Sequence, residues 1–337
     1  MNIKETLFSL SNAVNVGNLH EASDIAFDIL SKYAETERKD NLTVIGKIKG
    51  ESDYTIMLDA HLDEVAFVVT DVDDKGFLTV AKCGGIDLRT LPARVVTVHG
   101  KEKIPAVFCS TPPHLSSGEK EYTDIGELKL DTCLGSSAKD IISVGDYVTY
   151  RQKATALNGD IVTGKSFDDR AGVVCLLELA ERLSRMKLPV SVSFVLCDWE
   201  ELGLRGSKIA SFEVNPDEAV AIDVSFGDGP DISPDECGNI SGGAMIGVSP
   251  VLCREISDKL FEIAKEKDIP HQSEIMSGKT GTDGDVISTT QNGVKTGLVS
   301  IPLRNMHTDV ELLDIKDIES ICDLLEEYIL SGGVSNG

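Results

Sequence analysis

Four apolar runs in this chain each break off into acidic residues or histidine, and that pattern restricts the fold more than any other. Tyr54-Thr55-Ile56-Met57-Leu58 leads into Asp59-Ala60-His61-Leu62-Asp63-Glu64, and Val192 to Cys197 leads into Asp198-Trp199-Glu200-Glu201. Ala219 to Ile222 ends at Asp223, and Leu298 to Pro302 leads to Arg304-Asn305-Met306-His307. Short apolar runs of this kind read as strands. In open α/β sheets, ligands lie outside the carboxyl ends of the strands, so these polar ends are placed to converge in one crevice.

Helical periodicity alternates with the runs. Amphipathic stretches cover Ile3 to Val14 and Glu21 to Tyr33, and further helices are predicted over Asp169 to Arg185, Pro250 to Lys267 and Ile315 to Leu330. The last has Ile318, Ile321, Cys322, Leu325, Tyr328 and Ile329 at helical spacing, with Asp314 as its cap. Between Thr70 and Thr163 the texture differs: short β-branched runs such as Arg94 to Val98, Ile104 to Phe108 and Tyr147 to Tyr150, with Gly and Pro between them. That is how a small all-β barrel or sandwich reads. The predicted class is therefore α/β, a mixed, largely parallel sheet flanked by helices, with an inserted small all-β barrel domain. Residues 1–69 and 164–337 form the two parts of the α/β domain, and residues 70–163 form the insertion.

Composition narrows the function. Over 337 residues, 56 acidic against 32 basic side chains give a formal charge of −24. A surface that acidic repels phosphate backbones and anionic lipid, which argues against nucleic-acid and membrane partners. No apolar run approaches the roughly 18 residues of a membrane helix, and the opening residues do not read as a signal peptide, so a cytoplasmic location is expected. Eight scattered cysteines without a Cys-x-x-Cys pair read as reduced, buried small hydrophobes.

Two histidines and at least four carboxylates at strand ends or a helix start, with no cysteine among them, make a nitrogen and oxygen donor set suited to borderline or hard divalent metals. In His61-Leu62-Asp63, extended backbone puts residues 61 and 63 on one side, so the Asp63 carboxylate can accept the imidazole N–H and fix the tautomer of a metal-binding His61. Glu200 and Glu201 point different ways on an extended segment, which leaves one free as a general base while the other ligates. Asp168, with two oxygens before a helix, can bridge two cations about 3.5–4 Å apart. His20, His99, His114 and His271 lack an acidic neighbour at useful spacing and read as structural or surface residues.

Ala60-His61-Leu62-Asp63-Glu64-Val65, Ser166 to Gly172, Glu200 to Ser207, Asp223-Val224-Ser225, Gly281-Thr282-Asp283 and Arg304 to Thr308 occur in the order seen in the glutamyl, deblocking and tetrahedral aminopeptidases. The chain resembles this dinuclear metallopeptidase family, which also contains cellulase-like members, over most of its length, including Gly84 to Asp87 and Thr111 to Leu115 of the insertion. The resemblance implies a zinc-peptidase-like α/β domain, a β-barrel used in dimer contacts, and dimers assembling into a tetrahedral dodecamer. It also implies one divalent ion on His61, Asp168 and Asp223, a second on Asp168, Glu201 and His307, Glu200 as general base, and Asp63 orienting His61. Zn²⁺ or Co²⁺ fit this donor set best, and Mn²⁺ is compatible with it. The chain departs from the family's usual residues at Phe226, Trp199 and Ser241 to Ala244, positions that bear on specificity rather than on the ligands.

The expected activity is removal of the first residue from short peptides with a free N-terminus. Three other readings compete, and one of them, an inactive assembly or scaffold protein, would keep the fold while losing ligands or base, none of which is lost here. Gly159 to Ser166 fits the G-x-x-x-x-G-K-[ST] pattern of a nucleotide hydrolase, yet Ile161, Val162 and Thr163 favour a strand over a phosphate loop. A glycosidase needs no two-histidine metal set and usually presents aromatic platforms, against one Trp and 5% aromatics here. Asp228, Asp231, Asp235 and Glu236 predict neutral or basic first residues over acidic ones, unless Lys165, Arg170 or Arg205 reverses the field locally.

Overall fold

The computed structural model of the protein describes residues 1–115, 124–230 and 232–334. All four apolar runs are strands, and they lie side by side in one parallel block: Lys295–Leu303, Glu218–Phe226, Thr55–His61 and Ser191–Cys197. Val44–Ile48 and then Glu35–Arg38 add antiparallel strands beyond Ser191–Cys197. On the other side Ala244–Val248 pairs antiparallel with Lys295–Leu303, and His271–Ile275 closes the eight-stranded sheet. The mixed, largely parallel sheet is thus the one predicted.

The strands run further than their apolar residues. Cys197 pairs with His61 and Phe226 with Leu303, so continuing parallel ladders carry His61 and Asp223 inside strands rather than into the loops after them. Alternation then sorts side chains to two faces. Ile56, Leu58 and Ala60 join a core shared with helices Ile3–Asn12, Glu21–Leu30, Phe167–Leu183, Arg254–Glu266 and Ile315–Leu330. Met57 joins the opposite core, with Cys197, Ala210, Ala221 and Leu298, beneath helix Arg205–Val214. Asp59 and His61 continue the Met57 side.

A closed barrel of six strands uses segments between Ala66 and Tyr150. Phe67 is its aromatic centre, edge-on to Phe108 at 5.1 Å and to Tyr150 at 5.8 Å between ring centroids. The chain returns through Ile161–Gly164, a strand paired antiparallel with Glu311–Asp314. Ile161–Gly164, the middle of the pattern that suggested a phosphate loop, is therefore strand. Ile315–Leu330 is a helix over its predicted span, and the Asp314 carboxylate accepts from Lys316 N at 3.0 Å.

Three expectations need correction. The helix predicted from Asp169 begins at Phe167, but Asp168 and Asp169 themselves have non-helical backbone within it, joined by a cis peptide bond. Only Cys175, Cys197 and Cys322 are buried; Cys133 is exposed and the other four cysteines are half-buried. Lys165 and Arg170 are buried and committed to Glu64, at 2.5 Å and 3.0 Å, and so do not lend charge to an open crevice. Among the described residues no helix is long and apolar enough to cross a membrane.

Candidate metal centre

The parallel strands deliver their polar ends to one cleft of about 410 Å³, lined by His61, Asp168, Glu200, Glu201, Asp223 and His307 together with Ser225, Phe226, Glu274 and Met306. His61 is the last residue of its strand, Asp223 sits within Glu218–Phe226, and Glu200 and Glu201 follow Ser191–Cys197. His307 comes from the turn after Lys295–Leu303 and takes a positive φ of 61°. Asp168 enters from the non-helical first turn of Phe167–Leu183. All seven residues singled out from the sequence, Asp63 included, thus gather at one end of the sheet.

Asp168 is at the centre. Its Oδ1 lies 3.1 Å from His61 Nε2, and its Oδ2 lies 3.1 Å from His307 Nε2. His307 Nε2 is also 3.3 Å from Glu201 Oε1, and Glu200 Oε2 is 3.9 Å from His61 Nε2. Donor atoms of His61, Asp168 and Asp223 lie within 4.8 Å of one another, as do those of Asp168, Glu201 and His307. Two three-residue groups sharing one carboxylate are therefore present, and among the described lining residues of the cleft there is no Lys or Arg.

The electrostatics fit a cation-binding role. Burial, opposed by His61 and reinforced by Asp283, Glu201 and Asp168, pushes the Glu200 carboxyl up to about 8. Burial also holds Asp223 well above the usual carboxylate range. Burial works against a charged imidazole at His307, yet Asp168 and Glu201 overcome it and raise the group to about 11. His61 is raised in the same way by Asp168 and Asp63, and the two imidazoles in turn outweigh burial to depress Asp168. Buried carboxylates crowded around two imidazoles make a donor set that divalent cations complete.

Neighbouring groups hold this constellation in place. Asp63 Oδ1 lies 3.5 Å from His61 Nδ1, long for a hydrogen bond, while its two oxygens accept from Glu200 N at 3.0 Å and Glu201 N at 3.2 Å. One carboxylate thus faces the imidazole and positions the backbone of both glutamates. Glu311, which sequence reasoning missed, accepts from Phe167 N at 2.6 Å, Asp168 N at 3.3 Å and His307 N at 2.9 Å. Burial and the nearby Asp168 raise its carboxyl, against those three N–H groups. Beneath His61, the buried side chains of Asp59, Cys197 and Asp283 form a further compact group. The barrel reaches the centre as well: a Cβ on Gly84 would come within 3.1 Å of Glu201 Oε2, and one on Gly85 within 3.1 Å of His307 Nδ1.

The chain is similar to known proteins over most of its length. A family model described as M42 glutamyl aminopeptidase matches residues 43–324. A lysyl aminopeptidase of Pyrococcus furiosus is 30% identical over 91% of this chain and 90% of its own. An aminopeptidase from the archaeon Desulfurococcus kamchatkensis superposes with a TM-score of 0.91 at 29% identity, over 98% of this chain and 94% of that one. A Pyrococcus horikoshii TET peptidase that assembles into a tetrahedron or a large octahedral shell gives a TM-score of 0.86 at 28% identity, over 97% of this chain and 99% of that one.

Proposed function

The chain belongs to the M42 glutamyl aminopeptidase family, and from that premise we propose that it is a two-metal aminopeptidase that removes the first residue of short peptides with a free N-terminus. The observation that carries the reading is the shared Asp168, whose two oxygens each meet a different histidine at 3.1 Å. His61, Asp168 and Asp223 would hold one divalent ion, and Asp168, Glu201 and His307 the other, with Zn²⁺ or Co²⁺ suited to the donors and Mn²⁺ compatible. When bound, such ions supply a water acidic enough to attack a carbonyl near neutral pH and positive charge for the oxyanion that develops.

Glu200 is the group left free beside both triads. Its carboxylate takes the proton of the attacking water and returns it to the leaving amine nitrogen, a general base becoming a general acid. Asp63 faces His61 and fixes the backbone of Glu200 and Glu201, so it is a positioning residue. The barrel is the expected surface for pairing subunits, and assembly into dimers and larger tetrahedral shells is inferred from the similar TET peptidase.

The test is chelation followed by reconstitution, with elemental analysis and aminoacyl anilides as substrates. Activity should vanish with the metal and return at about two ions per chain. Full activity in protein shown to be metal-free would refute the reading.

A further inference from the structure

The cleft contains one carboxylate that the proposed chemistry does not use. Glu274 lies on the edge strand His271–Ile275, two strands away from Asp223's neighbour Ser300 by way of Ala244–Val248. Its register partner on the intervening strand is Gly247, which places no side chain in its path. Glu274 reaches across and accepts a hydrogen bond from Ser300 Oγ at 2.7 Å, and Ser225 is its second hydroxyl partner. Ser300 in turn is the in-register neighbour of the metal-facing Asp223.

The carboxylate therefore stands fixed beside the candidate metal groups, held by neutral hydroxyls, and the described residues lining the cleft include no Lys or Arg. Burial raises its carboxyl, the direction that an approaching cation would reverse. Phe226, exposed over 55% of its surface, and Met306 line the same cleft and offer apolar contact to an aliphatic stem. The adjoining groove, which shares Ser225, Phe226, Glu274 and Thr280 with the cleft, adds Asp235 and Glu236 against the single cation Lys279 among its described lining residues. Asp228 is paired with Arg304 at 2.7 Å, and Asp231 lies outside the described residues.

We propose that Glu274 selects the side chain of the substrate's first residue, and that the preferred substrates are peptides beginning with Lys or Arg. The long aliphatic stem lies along Phe226 and Met306, and the cationic head meets the Glu274 carboxylate. An acidic first residue would face that carboxylate, with Lys279 of the adjoining groove as the one cation among the described lining residues and Asp235 and Glu236 beside it. The proposal rests on the aminopeptidase reading, yet it can fail alone.

Two measurements on the full-length, metal-loaded protein test it. In the first, kcat/KM is compared for Lys-, Leu- and Glu-anilides with wild type and Glu274→Gln. The wild type should favour Lys, and the Lys-to-Leu ratio should fall roughly ten- to hundredfold in the variant, the worth of a hydrogen bond to a charged group. An unchanged ratio would overturn the proposal, because a carboxylate holding the α-amine common to all substrates lowers every rate together. A wild-type preference for Glu would overturn it as well. In the second, calorimetry compares free L-lysine with L-norleucine, which has the stem without the amine. Lysine should bind about tenfold or more tighter to wild type and lose that advantage in Glu274→Gln; equal affinities in wild type would overturn the proposal. Hydrolysis of none of the anilides, with lysine's advantage intact, would refute the peptidase reading and leave the assignment of Glu274 standing.

Discussion

Glu311 is the residue whose loss should cost most for its distance from the chemistry. It is 1% exposed, and its carboxylate joins the backbone before Asp168 to the backbone of His307 through three N–H groups. In Glu311→Ala those donors lose their partner in a buried place, at about 1–3 kcal/mol each. Relief of the carboxylate's own desolvation offsets part of the total, so a net loss of about 2–5 kcal/mol is expected, by analogy with breaking other buried charge interactions. Against a typical stability of about 5–15 kcal/mol, the variant stays folded over all but the lowest part of that range. Glu311→Gln should recover only part of the loss, since its amide keeps one acceptor and turns an NH₂ toward backbone donors. Because Asp168 and His307 are then less fixed, affinity for the ion proposed to bind Asp168, Glu201 and His307 should drop about 10–100-fold. Urea unfolding of the metal-free protein gives the first quantity and calorimetric metal titration the second. Wild-type stability together with two unchanged metal affinities would refute the positioning role.

Two further outcomes follow from the proposed chemistry and assembly. Glu200→Gln should keep its metals and lose about 10²–10⁴-fold in kcat, whereas Glu201→Gln should lose metal; the reverse result in elemental analysis would exchange their roles. Sedimentation should give an even-numbered oligomer well above the 36.2 kDa chain, and a fully active monomer would defeat the assembly reading.

The candidate metal-binding residues are legible in the sequence because all but Asp168 come at the end of an apolar run, where a change of polarity marks both the strand and its polar tip. His61, Glu200, Glu201, Asp223 and His307 all carry that mark. The final helix was equally plain, since its period and the Asp314 cap agree. Glu311 and Glu274 gave no such signal. Glu311 belongs to a four-residue strand whose meaning depends on backbone donors 143 and 144 positions away in the chain. Glu274 lies in the polar edge strand His-Gln-Ser-Glu-Ile, which has no apolar run, and its partner Ser300 is brought near only by sheet order. Lys165 and Arg170 misled for the opposite reason. Their charge is visible in the sequence, but its neutralisation by Glu64 is a tertiary contact.

A barrel inserted into a loop is ordinarily a separable module, free to be exchanged or trimmed as long as its ends meet. The Gly84-Gly85 turn denies this chain that freedom. Two residues of the insertion pass so close to Glu201 and His307 that even a methyl group on either would enter tight contact with them. Any graft of a foreign barrel must therefore reproduce that bare stretch of backbone, with Gly84 at its φ of +91°, or it will reshape the pocket it was meant only to accompany. The two folding units are separate as cores and inseparable as a site.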